Sequence, residues 1–273
     1  PGISLKSEGI SYIAGSDLPC VIVNVQRGGP GLGGIQPSQS DYWQATKASG
    51  HGDFHMLVYA PSSVQETINM TFTAFDTADK FRIPAMILSD GLLGQMMEPV
   101  VFPDIKPQIP DKPWSCNGHK NKRKHNIINS LYLCPDELEK SVRARFDKYE
   151  EIKKTCTDAE VYLCDDAKIV VTSFGATSRI AKSAVDIARS KGIKAGLFRP
   201  KTLYPFPKKE LNVACEKAER VLCVEMSMGQ MIDDIKLALE CRLPVDFFGR
   251  TGGNIPSVAE ILRRIEYLAG KEQ

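Results

Sequence analysis

None of the eight cysteines in this 273-residue chain stands in a C-x-x-C pair, so zinc and iron–sulfur ligation have no local support and no metal ligand is expected. They are Cys20, Cys116, Cys134, Cys156, Cys164, Cys215, Cys223 and Cys241, and several lie in apolar runs such as Val221-Leu222-Cys223-Val224. That pattern reads as buried free thiols in a reducing cytosol, and the cytoplasm is the expected location. Charge of one sign is also missing. Lys and Arg number 35 against 33 Asp and Glu, net +2, which removes any general electrostatic case for nucleic acid or a membrane surface. The longest apolar runs are of strand length, far short of a membrane span, and no signal peptide is visible. The glycine-rich run Gly28–Gly34 lacks the Gly-Lys-Ser/Thr ending of a P-loop.

What is present is an average soluble composition, 42% hydrophobic and 25% charged, in a chain long enough for two α/β domains. The most informative stretch is Gln26-Arg27-Gly28-Gly29-Pro30-Gly31-Leu32-Gly33, which follows the strand-like run Cys20–Val25. Glycines permit positive φ and close backbone approach, so the turn can lie flat against a ligand. Arg27 presents a rigid fork of donors over it, suited to a carboxylate or phosphate. In a parallel α/β sheet, ligands bind at the carboxyl ends of strands. The residues therefore indicate an anion site without naming the anion. The spacing Gly29-x-Gly31-x-x-Gly34 fits a dinucleotide fingerprint, but Pro30 and Pro37 argue against a helix opening on its third glycine. The next helix signal is Ser40-Asp41, with Asp41 read as a cap before Tyr42–Thr46.

Strand and helix patterns alternate over residues 1–103: strands at Cys20–Val25, Met56–Ala60 and Pro84–Leu88, and a helix capped at Ser63 with Glu66 in the capping-box position. Short apolar strands joined through helices imply a parallel sheet. Residues 104–134 change character, with Pro107, Pro110 and Pro113 ahead of the basic run Lys120–His125. No aromatics interleave with that run, so it reads as a solvated loop or partner contact and not as a nucleic-acid patch. Pro135 opens an amphipathic helix to about Lys154. A second alternating unit is expected from about Asp165, with strands at 169–174, 193–198, 221–225 and 245–248. Its helices are expected to Ser190, to about Glu219, over 230–239 and from Pro256 to Leu268. Arg199–Pro207 is expected as a rigid loop.

Several motifs in order carry a family resemblance. They are Arg27-Gly28-Gly29-Pro30-Gly31, Ile35–Asp41, Gly50-His51-Gly52-Asp53, Leu88-Ser89-Asp90, Glu98-Pro99-Val100, Phe198-Arg199-Pro200 with Leu203-x-Pro205-Phe206-Pro207, and Glu225-Met226-x-Met228-Gly229-Gln230-Met231. Together they resemble the alpha subunit of 2-oxoacid:ferredoxin oxidoreductases, nearest the 2-oxoisovalerate and 2-oxoglutarate types. The resemblance implies an α/β fold: a partial thiamine-diphosphate-binding, pyrimidine-type parallel-sheet domain over 1–103, a linker and connecting helix over 104–164, and a transketolase C-terminal-like doubly wound domain over 165–273. It implies CoA-dependent oxidative decarboxylation of a 2-oxoacid with reduction of ferredoxin. It further implies thiamine diphosphate with Mg²⁺ shared with a partner subunit, an iron–sulfur cluster in that partner, and CoA as co-substrate. The implied partners are beta, and gamma or delta, subunits, with ferredoxin met through the complex, and no nucleic acid or membrane. Family alpha chains begin upstream of Pro1-Gly2-Ile3 with a Tyr-Pro-x-Thr-Pro loop and a cofactor-activating glutamate, so the first domain is expected to be incomplete and the chain inactive by itself.

By the same resemblance Arg27 holds the 2-oxoacid carboxylate, acting mainly by positioning, and Gly28, Gly29 and Pro30 shape the turn beneath it. His51 on its glycine loop, Glu225 at a strand end and Arg250 before Thr251-Gly252-Gly253 are further candidates. Two rival functions share these features: the E1 beta-type chain of a lipoamide-linked 2-oxoacid dehydrogenase, and a non-catalytic scaffold subunit.

Overall fold

The computed structural model describes residues 2–47, 49–104 and 111–270. The expected linker residues Pro107 and Pro110 lie outside them. The chain opens with helix α1 (Gly2–Gly15), followed by β1 (Cys20–Gln26), α2 (Tyr42–Thr46), β2 (Leu57–Tyr59), α3 (Val64–Phe81) and β3 (Pro84–Asp90). Helix α4 (Pro135–Thr155) leads to β4 (Ala159–Tyr162), β5 (Ile169–Thr172), α5 (Thr177–Ser190), β6 (Ala195–Pro200) and β7 (Thr202–Tyr204). Then come α6 (Lys208–Ala214), β8 (Arg220–Glu225), α7 (Met231–Ala238), β9 (Val245–Gly249) and α8 (Val258–Leu268).

Helix α1 was not foreseen in the sequence. Glycines at 2, 9 and 15 weaken its pattern, each costing about 1 kcal/mol relative to alanine within a helix. Tertiary contact compensates: Ile10, Ser11 and Ala14 are buried, and Gly50 packs so closely on Ser11 that a β-carbon would collide with its hydroxyl. Helix α3 forms as expected. Ser63 accepts the Glu66 N–H, Met70, Ala74 and Ala78 line its buried face, and Arg82 ends it in the left-handed region at φ 52°. The reciprocal half of the capping box is absent, because the Glu66 carboxylate turns instead to Ser62 and to Arg199. The basic run is an irregular loop wrapped around Arg123, whose guanidinium donates to the carbonyls of Ser115 and Gly118 and to Asn117.

Two sheets result. The first has the order β1-β3-β2-β7, parallel except for β7; the second has the order β4-β6-β5-β8-β9, parallel except for β4. The expected rigid loop after Phe198 is corrected here. Strand β6 continues through Pro200, and after the single residue Lys201 the chain re-enters as β7, antiparallel to β2. The free edge of β2 takes this strand, and the Ala60 N–H seals the crossing by donating to the Lys201 carbonyl at 2.8 Å. Strand β4, within 104–164, adds to the second sheet as an edge strand. Helix α6 ends at Ala214, five residues short of the expected Glu219, with the Cys215 N–H bonded back to Leu211.

The sheets share one apolar layer. Met56, Val58, Met86 and Leu88 from the first meet Val170, Phe174, Phe198 and Val221 around the second. On the outer faces, Leu57, Ala85 and Ile87 pack beneath α3 and α4, while Val171, Leu197 and Leu222 pack beneath α5 and α8. Alternate strand residues therefore serve opposite faces, and both sheets are covered on both sides except along edge strand β1, where Val23 and Val25 are exposed. A buried ion network ties the two halves together. Arg199 is 3% exposed and holds Glu66 bidentately at 2.7 and 2.8 Å and Glu160 through Nε at 2.9 Å. Burial alone would push the Glu66 carboxyl up; Arg199 and the Ser62 donors outweigh it and hold it down at about 2.

Candidate active site

Arg27 directly follows β1 and makes an isolated antiparallel bridge to Pro37, so the intervening turn is pinched at its base. The Gly28 N–H donates to the Gln36 carbonyl at 2.8 Å, and the Gly34 N–H to the Gly28 carbonyl at 2.9 Å. Gly31 and Gly33 have φ of 61° and 48°. A β-carbon on Gly33 would collide with the Gly28 carbonyl, so both handedness and space demand glycine there. The Arg27 guanidinium lies over this turn, Nη1 donating to the Gly28 carbonyl at 2.7 Å and Nη2 to the Gly31 carbonyl at 2.9 Å. Two of its five N–H groups are so used; the other three have no acceptor among the described residues, and no carboxylate pairs with it there.

This arginine lines a cavity of about 870 Å³ together with Gly29, Pro30, Leu32, Asp41, Met228, Gln230 and Thr251. Its lining comes from the start of α1, the segments that follow β1 and β8, and the loop after β9, and two glutamines tie the segments after β1 and β8 together. Gln39 is fully buried; its amide donates to the Phe174 carbonyl at 2.7 Å and accepts from the Met226 N–H and the Thr177 hydroxyl. Gln230 donates to the Ser40 carbonyl at 2.7 Å and accepts from the Trp43 N–H at 2.8 Å. Residues 226–230 are thereby bolted to residues 39–43. Both glutamines stand in motifs noted above, yet residue type alone gave them no role, because each partner lies in the other half of the chain.

The remaining candidates go elsewhere. Asp41 occupies the N-cap position of α2 without capping it; its carboxylate accepts from the Asn24 side chain at 3.3 Å and stands at the cavity wall. Glu225 is wholly buried, and its oxygens accept from the N–H groups of Gln230, Met231 and Ile232 and from the Ser227 hydroxyl. It neutralises the first turn of α7. Arg250 is ion-paired with Glu260 at 2.7 Å, and Glu260 also closes the capping box of α8 with Ser257. The Ser257-x-x-Glu260 spacing was a readable signal for that pairing. The loop after Arg250 does reach the site: Thr251 lines the cavity and Gly253 packs on Gln36. His51 lies on a different cavity of about 480 Å³, beside Tyr12, Asp53 and Leu138, with its backbone N–H bonded to Ser11. The structure thus gathers Arg27, Gly29 and Pro30, with Gly28 buried beneath them, and separates them from His51, Glu225 and Arg250.

A thiamine diphosphate would need a metal-assisted seat for its two phosphates. Among the described residues no group of three His, Cys, Asp or Glu side chains is placed to hold a metal ion; Mg²⁺ on a diphosphate needs only one or two carboxylates, so this does not assign the seat. The donors of Arg27 left without an acceptor have the geometry to hold a carboxylate. No helix among the described residues is long and apolar enough to cross a membrane.

Comparison with known proteins identifies the family. Residues 1–161 match the family described as pyruvate flavodoxin/ferredoxin oxidoreductase, thiamine diphosphate-binding, and residues 167–261 match pyruvate:ferredoxin oxidoreductase core domain II. The chain is 47% identical over 272 residues to the ketoisovalerate oxidoreductase subunit VorB of Methanothermobacter marburgensis, covering 99% of this chain and 77% of that one. It is 35% identical over 294 residues to the 2-oxoglutarate synthase subunit KorA of the same organism, covering 97% and 78%. A 2-oxoglutarate:ferredoxin oxidoreductase from Magnetococcus marinus, solved with 2-oxoglutarate, coenzyme A and succinyl-CoA, shares the fold at a TM-score of 0.80 and 24% identity. There the match covers 98% of this chain and about half, 51%, of the other. Matched in order along both halves, and to a relative at 47% identity, the chain belongs to the 2-oxoacid:ferredoxin oxidoreductase family as an alpha-type subunit.

Proposed function

We propose that this chain supplies the carboxylate anchor for a 2-oxoacid that its assembly decarboxylates oxidatively to an acyl-CoA, with electrons passing to ferredoxin. The observation that carries the reading is Arg27, a cavity-lining guanidinium without a carboxylate partner among the described residues. Gly28, Gly29 and Pro30 hold the turn on which it rests. Arg27 binds the carboxylate, orients the neighbouring carbonyl and keeps the acid ionised until it is committed to the site. Thiamine diphosphate, when bound, supplies the carbanion-stabilising chemistry. Its Mg²⁺ and the iron–sulfur cluster are assigned to a beta subunit, with gamma or delta subunits completing the assembly. Residues 1–103 and 165–273 serve as the pyrimidine-type and transketolase C-terminal-like domains, joined by 104–164.

Charge counting supports an apolar 2-oxoacid of the 2-oxoisovalerate kind. Arg27 is the only cation among the described cavity-lining residues, Asp41 adds a negative charge, and Leu32, Met228, Pro30 and Ile3 offer apolar contact. A second substrate carboxylate, as in 2-oxoglutarate, would face these walls unpaired.

The test is Arg27→Ala in the assembled enzyme, followed by viologen reduction with 2-oxoisovalerate and CoA. A charged hydrogen-bond contact is worth roughly 1.5–3 kcal/mol, so KM should rise on the order of 10- to 100-fold with thiamine diphosphate affinity unchanged. Unaltered KM and kcat would remove Arg27 from the substrate site and favour the scaffold reading. Acyl transfer to lipoamide in place of viologen reduction would favour the E1 beta-type reading.

A further inference from the structure

We infer that a second cavity, lined by α4, β7, α6 and α7 and separate from the one Arg27 lines, binds a nucleoside phosphate. Its volume is about 480 Å³, within the range of small-ligand pockets. The floor is Leu203-Tyr204-Pro205-Phe206, the segment at and after β7 that the Arg27 reading leaves unused. The rim carries Lys47, Lys153, Lys154, Lys208 and Lys209 against two acidic residues, Asp234 and Glu210.

Three rim lysines have carboxylate partners: Lys47 with Asp234 at 2.5 Å, Lys153 with Glu150 at 2.7 Å and Lys208 with Glu240 at 2.8 Å. Lys154 and Lys209 have none among the described residues. Two ammonium groups from two helix ends, Lys154 and Lys209, are thus left unanswered at one opening, which favours an anion there. The floor is built for a flat ring. Tyr204 is held by His55, stacked on it with centroids 4.2 Å apart and planes 18° apart, and Tyr149 meets both edge-on. The field of the lysines reaches that floor: burial lowers the His55 pKa, and Lys153 and Lys47 lower it further. A purine or pyrimidine ring suits the half-buried Tyr204 and Phe206 of the floor, and phosphates suit the lysine rim, where ammonium groups act as point charges. A simple carboxylate would have no ring to set on that floor. The inference stands apart from the Arg27 reading.

The chemistry is that of a nucleotide, either free or as the nucleotide end of a larger molecule such as CoA. The experiment titrates the assembled enzyme with mant-ADP, followed by fluorescence, and displaces it with ADP, CoA or inorganic phosphate. Saturable binding is expected, with ADP displacing far better than inorganic phosphate. The double variant Lys154→Glu/Lys209→Glu should weaken it about a hundredfold. Both lysines are exposed, so an unchanged melting temperature should accompany the loss. Displacement by CoA with the same lysine dependence would identify the nucleotide end of CoA; displacement by ADP alone would identify a free nucleotide. Absence of saturable binding, or binding unchanged in the double variant, would overturn the inference. So would detachment of partner subunits in that variant with mant-ADP binding retained, because the rim would then be a protein interface.

Discussion

Replacing Arg199 by Met should destabilise the protein by about 3 kcal/mol at neutral pH, and by distinctly less in acid. The guanidinium is almost wholly buried and answers two carboxylates from opposite halves, Glu66 on α3 and Glu160 on β4. Methionine fills much of the volume but leaves both acids without it. Breaking a buried pair by removing one partner costs about 3–5 kcal/mol. The lower end applies here, because Glu66 keeps the Ser62 donors, Glu160 keeps Lys182, and both carboxylates retain some solvent contact. The depression of the Glu66 carboxyl, to which Arg199 and the Ser62 donors both contribute, gives an upper figure. That carboxyl is lowered from 4.5 to about 2. At about 1.4 kcal/mol per pH unit this corresponds to roughly 3 kcal/mol. A carboxyl depressed in the folded state stabilises fully above its unfolded value near 4.5, and that stabilisation drains away as the pH falls toward 2. Denaturant unfolding of wild type and variant at pH 7 and pH 3 tests this. The gap should narrow by about 1–2 kcal/mol at the lower pH. A gap below about 1 kcal/mol at pH 7, or one independent of pH, would refute the assignment of Arg199 as the ion-paired tie between the halves.

Gly33→Ala should displace Arg27 by forcing open the turn, raising KM for the 2-oxoacid with only a small change in melting temperature; wild-type kinetics would show that the turn tolerates a β-carbon. Glu225→Gln should cost about 1–3 kcal/mol in denaturant unfolding, since one amide oxygen cannot serve the N–H groups of Gln230, Met231 and Ile232 and the Ser227 hydroxyl together. Met228→Arg adds a cation to the Arg27 cavity. It should shift the ratio of kcat/KM for 2-oxoglutarate over 2-oxoisovalerate upward by about tenfold or more, and an unmoved ratio would take Met228 out of the side-chain pocket.

What could be read in the chain beforehand divides by the distance to each side chain's partner. The turn at Arg27 was legible because its demands are local: a strand end, then glycines where φ must be positive, with the acceptors for the guanidinium within four residues. Helix α3 was legible because Ser63 caps it from the adjoining position. Strand β7 was not, since three residues after Pro200 have no usable period and their partner β2 lies far upstream on another sheet. Gln39 and Gln230 failed for a like reason, their partners lying in the other half of the chain. Glu225 misled differently. A carboxylate at a strand end has the same residue type whether it faces a substrate or the N–H groups of the next helix, and only the fold of Ser227–Gln230 back over it decides. Arg250 was equally ambiguous until Glu260 turned toward it. An unpaired charge is therefore the discriminating feature at these strand ends. Arg250 and Glu225 are answered by their own domain, whereas Arg27 keeps three donors without a protein acceptor among the described residues, and the proposed occupant, a ligand carboxylate, is a group that would complete it.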